Sequence, residues 1–129
     1  MASGEQPPSP LPTYVYKIIP SAPPSPIPDF YPLSDLDRQD GFVHLSTARQ
    51  VPVTSSLFFT SFTSFHILKL RLSNFDPATV KWDEVPGTNG GCPHLYGNFG
   101  AKDVVDSKEF LRAGDQTWED VFRSDSWLE

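Results

Sequence analysis

The chain contains a single cysteine, Cys92. No internal disulfide can form, and the composition fits a reducing compartment better than a secretory one. Basic residues are also scarce: ten Lys and Arg stand against sixteen Asp and Glu, giving a net charge of −6 with no basic cluster. A phosphate backbone or an anionic membrane would find no electrostatic footprint, which argues against a nucleic-acid partner. No run of about 20 apolar residues could span a bilayer, and MASGEQPPSPLPT has neither the apolar core of a signal peptide nor a basic presequence. The expected setting is cytoplasmic, with no membrane partner. Also missing are a solenoid-period repeat, a Walker glycine loop, H-E-x-x-H or paired C-x-x-C spacing, and a G-x-S-x-G elbow. His44, His94, Cys92 and Asp83 are suitable metal ligands by type, but their spacing carries no metal signature, so no metal site is assigned.

What is present suffices for one domain. The 129 residues are 38% hydrophobic and 13% aromatic, enough to bury a core without staples. Nine of the fourteen prolines gather before and after the first strand, so residues 1–13 read as a disordered Pro-rich tail and residues 14–129 as a single domain. YVYKII (14–19) reads as a strand, and SAPPSPIPDFYP as an irregular loop held by Ile27, Phe30 and Tyr31. SDLDRQDG reads as a polar turn and FVHLS as a short buried strand with Phe42, His44 and Ser46 on one face. Ser46 or Thr47 is a candidate N-cap, and Pro52 suits the first turn of a second short helix. FHILKLRL (65–72) alternates clearly, with His66 opening an apolar face, where it is structural or sits at the rim. TVKWDEV (79–85) is a further strand, GTNGG (87–91) a flexible loop, PHLYGNF extended or loop-like, and AKDVVDSKEFL another short strand. DQTWEDVFRS is a helix capped by Asp115. The fold class is α+β, with five or six short strands and two or three short helices.

Imidazole both donates and accepts hydrogen bonds and exchanges protons near neutral pH, so His44 and His94 lead the candidate chemical groups. Ser46 and Thr47 offer hydroxyls beside His44. Asp83 and Glu84 are adjacent, so in a strand they face opposite ways and at most one enters a given pocket. Tyr96 shares a face with His94 in an extended chain. A nucleophilic reading pairs Cys92 with His94 or Ser46 with His44, without a supporting motif.

YVYKI, DGFVHLST with a following Gln50, a Leu-rich strand, a Trp-acid pair and PHLYG, in that order, resemble the family called domain of unknown function 952. The resemblance runs from about Tyr14 to about Val105. It implies an ADP-ribosyltransferase-like fold: a split, antiparallel-rich β-sheet core with short helices around an NAD-binding cleft. By that resemblance His44, Ser46 and Thr47 match a His-x-Ser/Thr element that holds ribose and amide. Tyr96 or Tyr16 would supply a stacking ring, beside Gly97 of PHLYG. The family usually has Glu directly after the strand tryptophan, whereas here Trp82 precedes Asp83 and then Glu84. Either Asp83 reaches differently, or Glu84 takes over through a local bulge.

Three readings follow. The first is a small enzyme acting at the glycosidic bond of NAD or a related nucleotide, NAD being its substrate rather than a resident cofactor. The second is an isomerase, cyclase or lyase in which His44 and His94 form an acid/base pair acting on a small, partly apolar metabolite. The third is a non-catalytic binding module. All three take a small-molecule or partner ligand, and oligomeric state is not legible.

Overall fold

The computed structural model describes residues 7–88 and 90–129. The expected tail and the 87–91 loop therefore each extend outside the described residues, at 1–6 and 89. Residues 7–13 carry no helix or strand. In chain order come β1 (Tyr14–Ile19), α1 (Asp35–Asp40), β2 (Val43–His44), α2 (Gln50–Phe58), β3 (Ser64–Arg71), β4 (Val80–Glu84), β5 (Gly91–Leu95), β6 (Val104–Leu111) and α3 (Trp118–Arg123). Two 3₁₀ turns, Leu72–Asn74 and Pro77–Thr79, lie between β3 and β4, and one, Ala101–Asp103, precedes β6.

The strands form two antiparallel three-stranded sheets, one in the order β1-β3-β6 and the other β2-β5-β4. The α+β expectation with a split antiparallel core holds. Just after β2 the chain passes from one sheet to the other: Leu45 N–H donates to Pro93 O, and one residue later Ser46 exchanges two backbone bonds with Tyr16 of β1.

Alternation along β3 puts a core on each side of the first sheet. Leu68 and Leu70 join Val15, Val43, Leu45, Trp82 and Leu95 between the sheets. Phe65 and Ile67 point the other way, to Val51 of α2 and to Trp118 and Phe122 of α3. The face of the second sheet turned away from the shared core is covered by neither cluster. It carries Phe42, His44, Lys81, Asp83, His94 and Tyr96, which the strand alternation and the cross-strand register put together.

Several local expectations are corrected. SDLDRQDG is not a turn but α1: Ser34 accepts from Asp37 N–H at its start, and Gly41 closes it at φ 82°, a left-handed geometry that glycine adopts without a Cβ penalty. Neither Ser46 nor Thr47 caps α2 with its side chain. The cap position is Arg49, and a single helix runs through Pro52, which sits in its first turn. For PHLYGNF, read as extended or loop-like, the extended option holds at its start, where Pro93, His94 and Leu95 lie in β5. At α3, Thr117 rather than Asp115 is the cap, in a reciprocal pair with Asp120. In the proline-rich loop Tyr31 is the anchor, stacked on Phe99 at 4.9 Å with Ile27 packed nearby, whereas Phe30 is exposed. The loop lies so close to Gly100 that a Cβ there would stand 1.7 Å from Asp29 O. Among the described residues no helix is long and apolar enough to cross a membrane.

Candidate functional site

β2 and β5 pair so that His44 is directly opposite His94. Their ring centroids are 5.3 Å apart at 65°. Two residues remote in sequence thus meet because an antiparallel ladder places cross-strand partners on the same face. Phe42, two residues before His44, stacks on His94 at 4.3 Å and lies 5.1 Å from the Tyr96 ring.

Each imidazole is backed by its own carboxylate. His94 Nδ1–H donates to Asp83 Oδ2 at 2.8 Å, and since a carboxylate only accepts, this bond puts the proton on Nδ1 and leaves the Nε2 lone pair bare in the neutral ring. Burial pulls His94 below the ordinary histidine value, and the His44 charge adds to this, outweighing the opposing pull of Asp83. Nε2 makes no hydrogen bond among the described residues, yet it is not one of the buried polar atoms lacking a partner, so it keeps contact with solvent. His94 Nε2 thus has a lone pair that can accept a proton.

His44 is held differently. Its Nδ1–H donates to Asp37 Oδ1 at 2.6 Å, and its backbone N–H donates to the same oxygen at 3.2 Å. The other Asp37 oxygen accepts from Lys17 Nζ at 2.6 Å, and Lys17 also reaches His44 O at 3.2 Å. Asp37 is 2% exposed. Burial alone would raise its carboxyl, but the bonds from His44 and the charge and bond of Lys17 outweigh this and hold it below the usual carboxylate range. On its far side His44 Nε2 meets Asp40 Oδ2 at 2.9 Å. A neutral ring has one N–H, so only the imidazolium form donates to both carboxylates at once.

Of the residues singled out from sequence, the structure brings His44, His94, Asp83 and Tyr96 together, with Tyr96 40% exposed at the rim. Gly97 lines a small cavity of about 130 Å³ shared with Asp37, Arg38, Gly41, Phe42 and Leu33. Glu84 does not join the histidines: the β4–β5 register runs unbroken from Val80↔Leu95 to Glu84↔Gly91, so no bulge rotates it inward. The Trp-acid question resolves to Asp83. Ser46 is buried with its hydroxyl 3.4 Å from Thr54. The backbone N–H of Thr47 is taken up by Gln50 Oε1. Tyr16 is fully buried in the core under α2 and α3, its hydroxyl accepting from the Glu129 backbone, so its ring cannot stack on a ligand beside His44. Cys92 is buried, its thiol pushed up chiefly by burial, which disfavours a nucleophile. His66 is half-buried, with Nδ1 lacking a partner.

Lys17, Asp37 and Asp40 were missed by the sequence reading. A signal was available for the two aspartates: Ser34-x-x-Asp37 is a helix-start pattern and Gly41 a matching stop, which would have put Asp37 and Asp40 on a helix leading into His44. Lys17 carried none beyond standing among apolar residues in a strand.

Residues 27–107 match the family described as Protein of unknown function (DUF952). Among solved structures, the X-ray crystal structure of protein CC0527 from Caulobacter crescentus superposes with a TM-score of 0.68 at 24% identity, covering 81% of this chain and 92% of that one. The solution NMR structure of CC0527 gives 0.62 at the same identity, covering 81% and 90%. These likenesses concern the fold. Among curated proteins none matches.

Proposed function

We propose, from the premise that the chain belongs to the DUF952 family and that membership assigns no chemistry, that this protein is a histidine-based acid/base enzyme acting on a small, partly apolar metabolite. One observation carries the reading: two imidazoles 5.3 Å apart, each oriented by a separate carboxylate, with unlike partners on their outer nitrogens. A pair of titratable groups whose surroundings differ in this way divides naturally into acid and base. His94, neutral with Nε2 bare, is the base. His44 in its imidazolium form, steadied by Asp37, is the acid. Phe42 and Tyr96 provide the apolar contacts.

The first reading from sequence, cleavage at the glycosidic bond of NAD in an ADP-ribosyltransferase-like cleft, has less to support it. It keeps His44, a nearby carboxylate, Asp83, and the Tyr96 ring at the rim, but Asp83 is committed to His94 and the alternative ring, Tyr16, is buried elsewhere. Isothermal titration with NAD separates the two: binding that is lost in His44→Ala would restore the NAD reading. For the acid/base reading, small metabolites are screened for turnover by proton NMR, and any activity found is profiled against pH. A bell-shaped profile abolished in both His44→Ala and His94→Ala supports it. Activity that survives both substitutions rejects it.

A further inference from the structure

We propose that the substrate is a small enolisable carbonyl compound, preferentially a 2-oxo acid, and that the Asp40 carboxylate occupies the position its carbonyl oxygen takes. The inference rests on the acid/base reading above and adds the identity of the substrate atoms on which the two rings act.

The outer nitrogens of the two histidines face opposite needs. His44 Nε2 already has an oxygen acceptor at 2.9 Å, supplied by Asp40. Asp40 is the last residue of the six-residue α1 and is far more open than Asp37, its side chain being 35% exposed against 2%. Asp37 fixes the ring from behind and has no freedom to leave, since Lys17 and two His44 donors hold it. Asp40 can swing to solvent by a side-chain rotation alone, so a ligand oxygen can replace it without rebuilding the site. His94 Nε2, by contrast, has no protein partner among the described residues and is open to a proton.

An acid and a base each reach about 2.6–3.2 Å. With the ring centroids 5.3 Å apart, one small ligand can meet both imidazoles at neighbouring atoms, and a carbonyl oxygen with the hydrogen-bearing carbon beside its carbonyl carbon is such a pair. The step balances within this pair. His94 Nε2 takes the α-proton, the C–H electron pair becomes the C=C bond, the carbonyl π pair moves to oxygen, and the His44 Nε2 proton passes to that oxygen. The product is the enol, with His94 as imidazolium and His44 neutral. Return of a proton from His94 to carbon, with the enol proton going back to His44, restores both groups and needs no co-reactant.

Lys81 sets the preference for an acid. It is the cross-strand partner of His94, on the same face, and its ammonium lies 4.8 Å from the centroid of the Tyr96 ring. No carboxylate among the described residues pairs with it, in a chain whose net charge is −6. A carboxylate attached to the carbonyl would lie against this cation.

The test is α-proton exchange in D₂O, followed by proton NMR, with pyruvate and acetone as probes. The full chain should speed pyruvate exchange above that of imidazole buffer at equal histidine concentration, by at least tenfold. His94→Gln should lose this by about a hundredfold or more, as expected for a general base. Lys81→Gln should reduce the pyruvate-to-acetone rate ratio by about two- to fivefold, the size of an exposed ion pair, and Asp40→Asn should lower the apparent KM for pyruvate. Exchange no faster than buffer, in a protein whose two histidines show the paired states described above, overturns the carbonyl assignment while leaving the acid/base reading standing. Exchange that His94→Gln does not reduce overturns both.

Discussion

Replacing Asp37 by Asn changes no more than one atom of the side chain, yet it should cost more stability than any other substitution at the site. Both Asp37 oxygens are used at 2.6 Å, one by Lys17 Nζ and one by His44 Nδ1. An amide keeps one acceptor and turns an NH₂ donor toward the other donor. Lys17, at 8% exposure, would be left as a buried cation without its counter-charge. Breaking a buried pair from one side costs about 3–5 kcal/mol. For a domain of this size that corresponds to a fall in Tm of about 10–20 °C. The partner control is Lys17→Met, which removes the stranded charge. The double variant Lys17→Met/Asp37→Asn should recover more than half of the loss, because two apolar or neutral groups of similar shape do not carry the desolvation penalty. Urea denaturation of the wild type, both singles and the double closes the cycle. A loss below about 1 kcal/mol for Asp37→Asn, or a double variant no more stable than the single, would refute the claim that a buried ion pair holds His44 from behind.

Stability should also fall as pH drops, and the groups responsible can be named. Asp37 and His94 both have folded-state values depressed below their ordinary ones, so the unfolded chain binds more protons and each contributes stability that is present above its unfolded value and lost as pH falls through the folded one. The His94 part lies below about pH 6.5, and His94→Asn should flatten the melting-temperature profile there while leaving the lower carboxylate limb. Cys92 should react slowly with a thiol reagent in the native protein and at the normal rate in denaturant, since burial raises its thiol. Gly100→Ala should fail to fold or lose several kcal/mol, about 3 or more, because its Cβ would meet the Asp29 carbonyl. Gly41→Ala should cost only about 1 kcal/mol, as the φ of 82° is strained for alanine but the space around it is open.

How far these features were legible depends on the local signal behind each. β1, β3 and β4 were readable because alternation and β-branched or aromatic content point the same way over five or more residues. β5 was readable only as one of two options, extended or loop, because Pro93 and the following Gly97 also argue for a loop. The proline is accommodated because the opposing strand β2 ends at His44, and the position next to Pro93 needs only its carbonyl, which accepts from Leu45 N–H. α1 is too short for periodicity to show, and its caps were the only evidence of it. That single omission removed Asp37 and Asp40 from the site.

The meeting of His44 and His94 was legible as a question only. Two His-Leu pairs suggested a shared site, but nothing local gives the register that sets them opposite each other. Asp83 over Glu84 followed the same rule: each strand residue's facing depends on the register with its neighbour, which the sequence does not state. Lys17 shows the remaining limit. A lysine in the middle of a strand reads as a solvated face until the fold supplies the buried carboxylate that pairs with it.

The acid/base division stands on the tautomer of His94, and nitrogen-15 NMR of ring-labelled histidine reads it directly. At neutral pH His94 should show a protonated Nδ1 and a bare Nε2, and Asp83→Ala should shift that preference by removing the acceptor that fixes it. A His94 ring found as the Nε2–H tautomer, or as imidazolium at neutral pH, would contradict the assignment of His94 as the base.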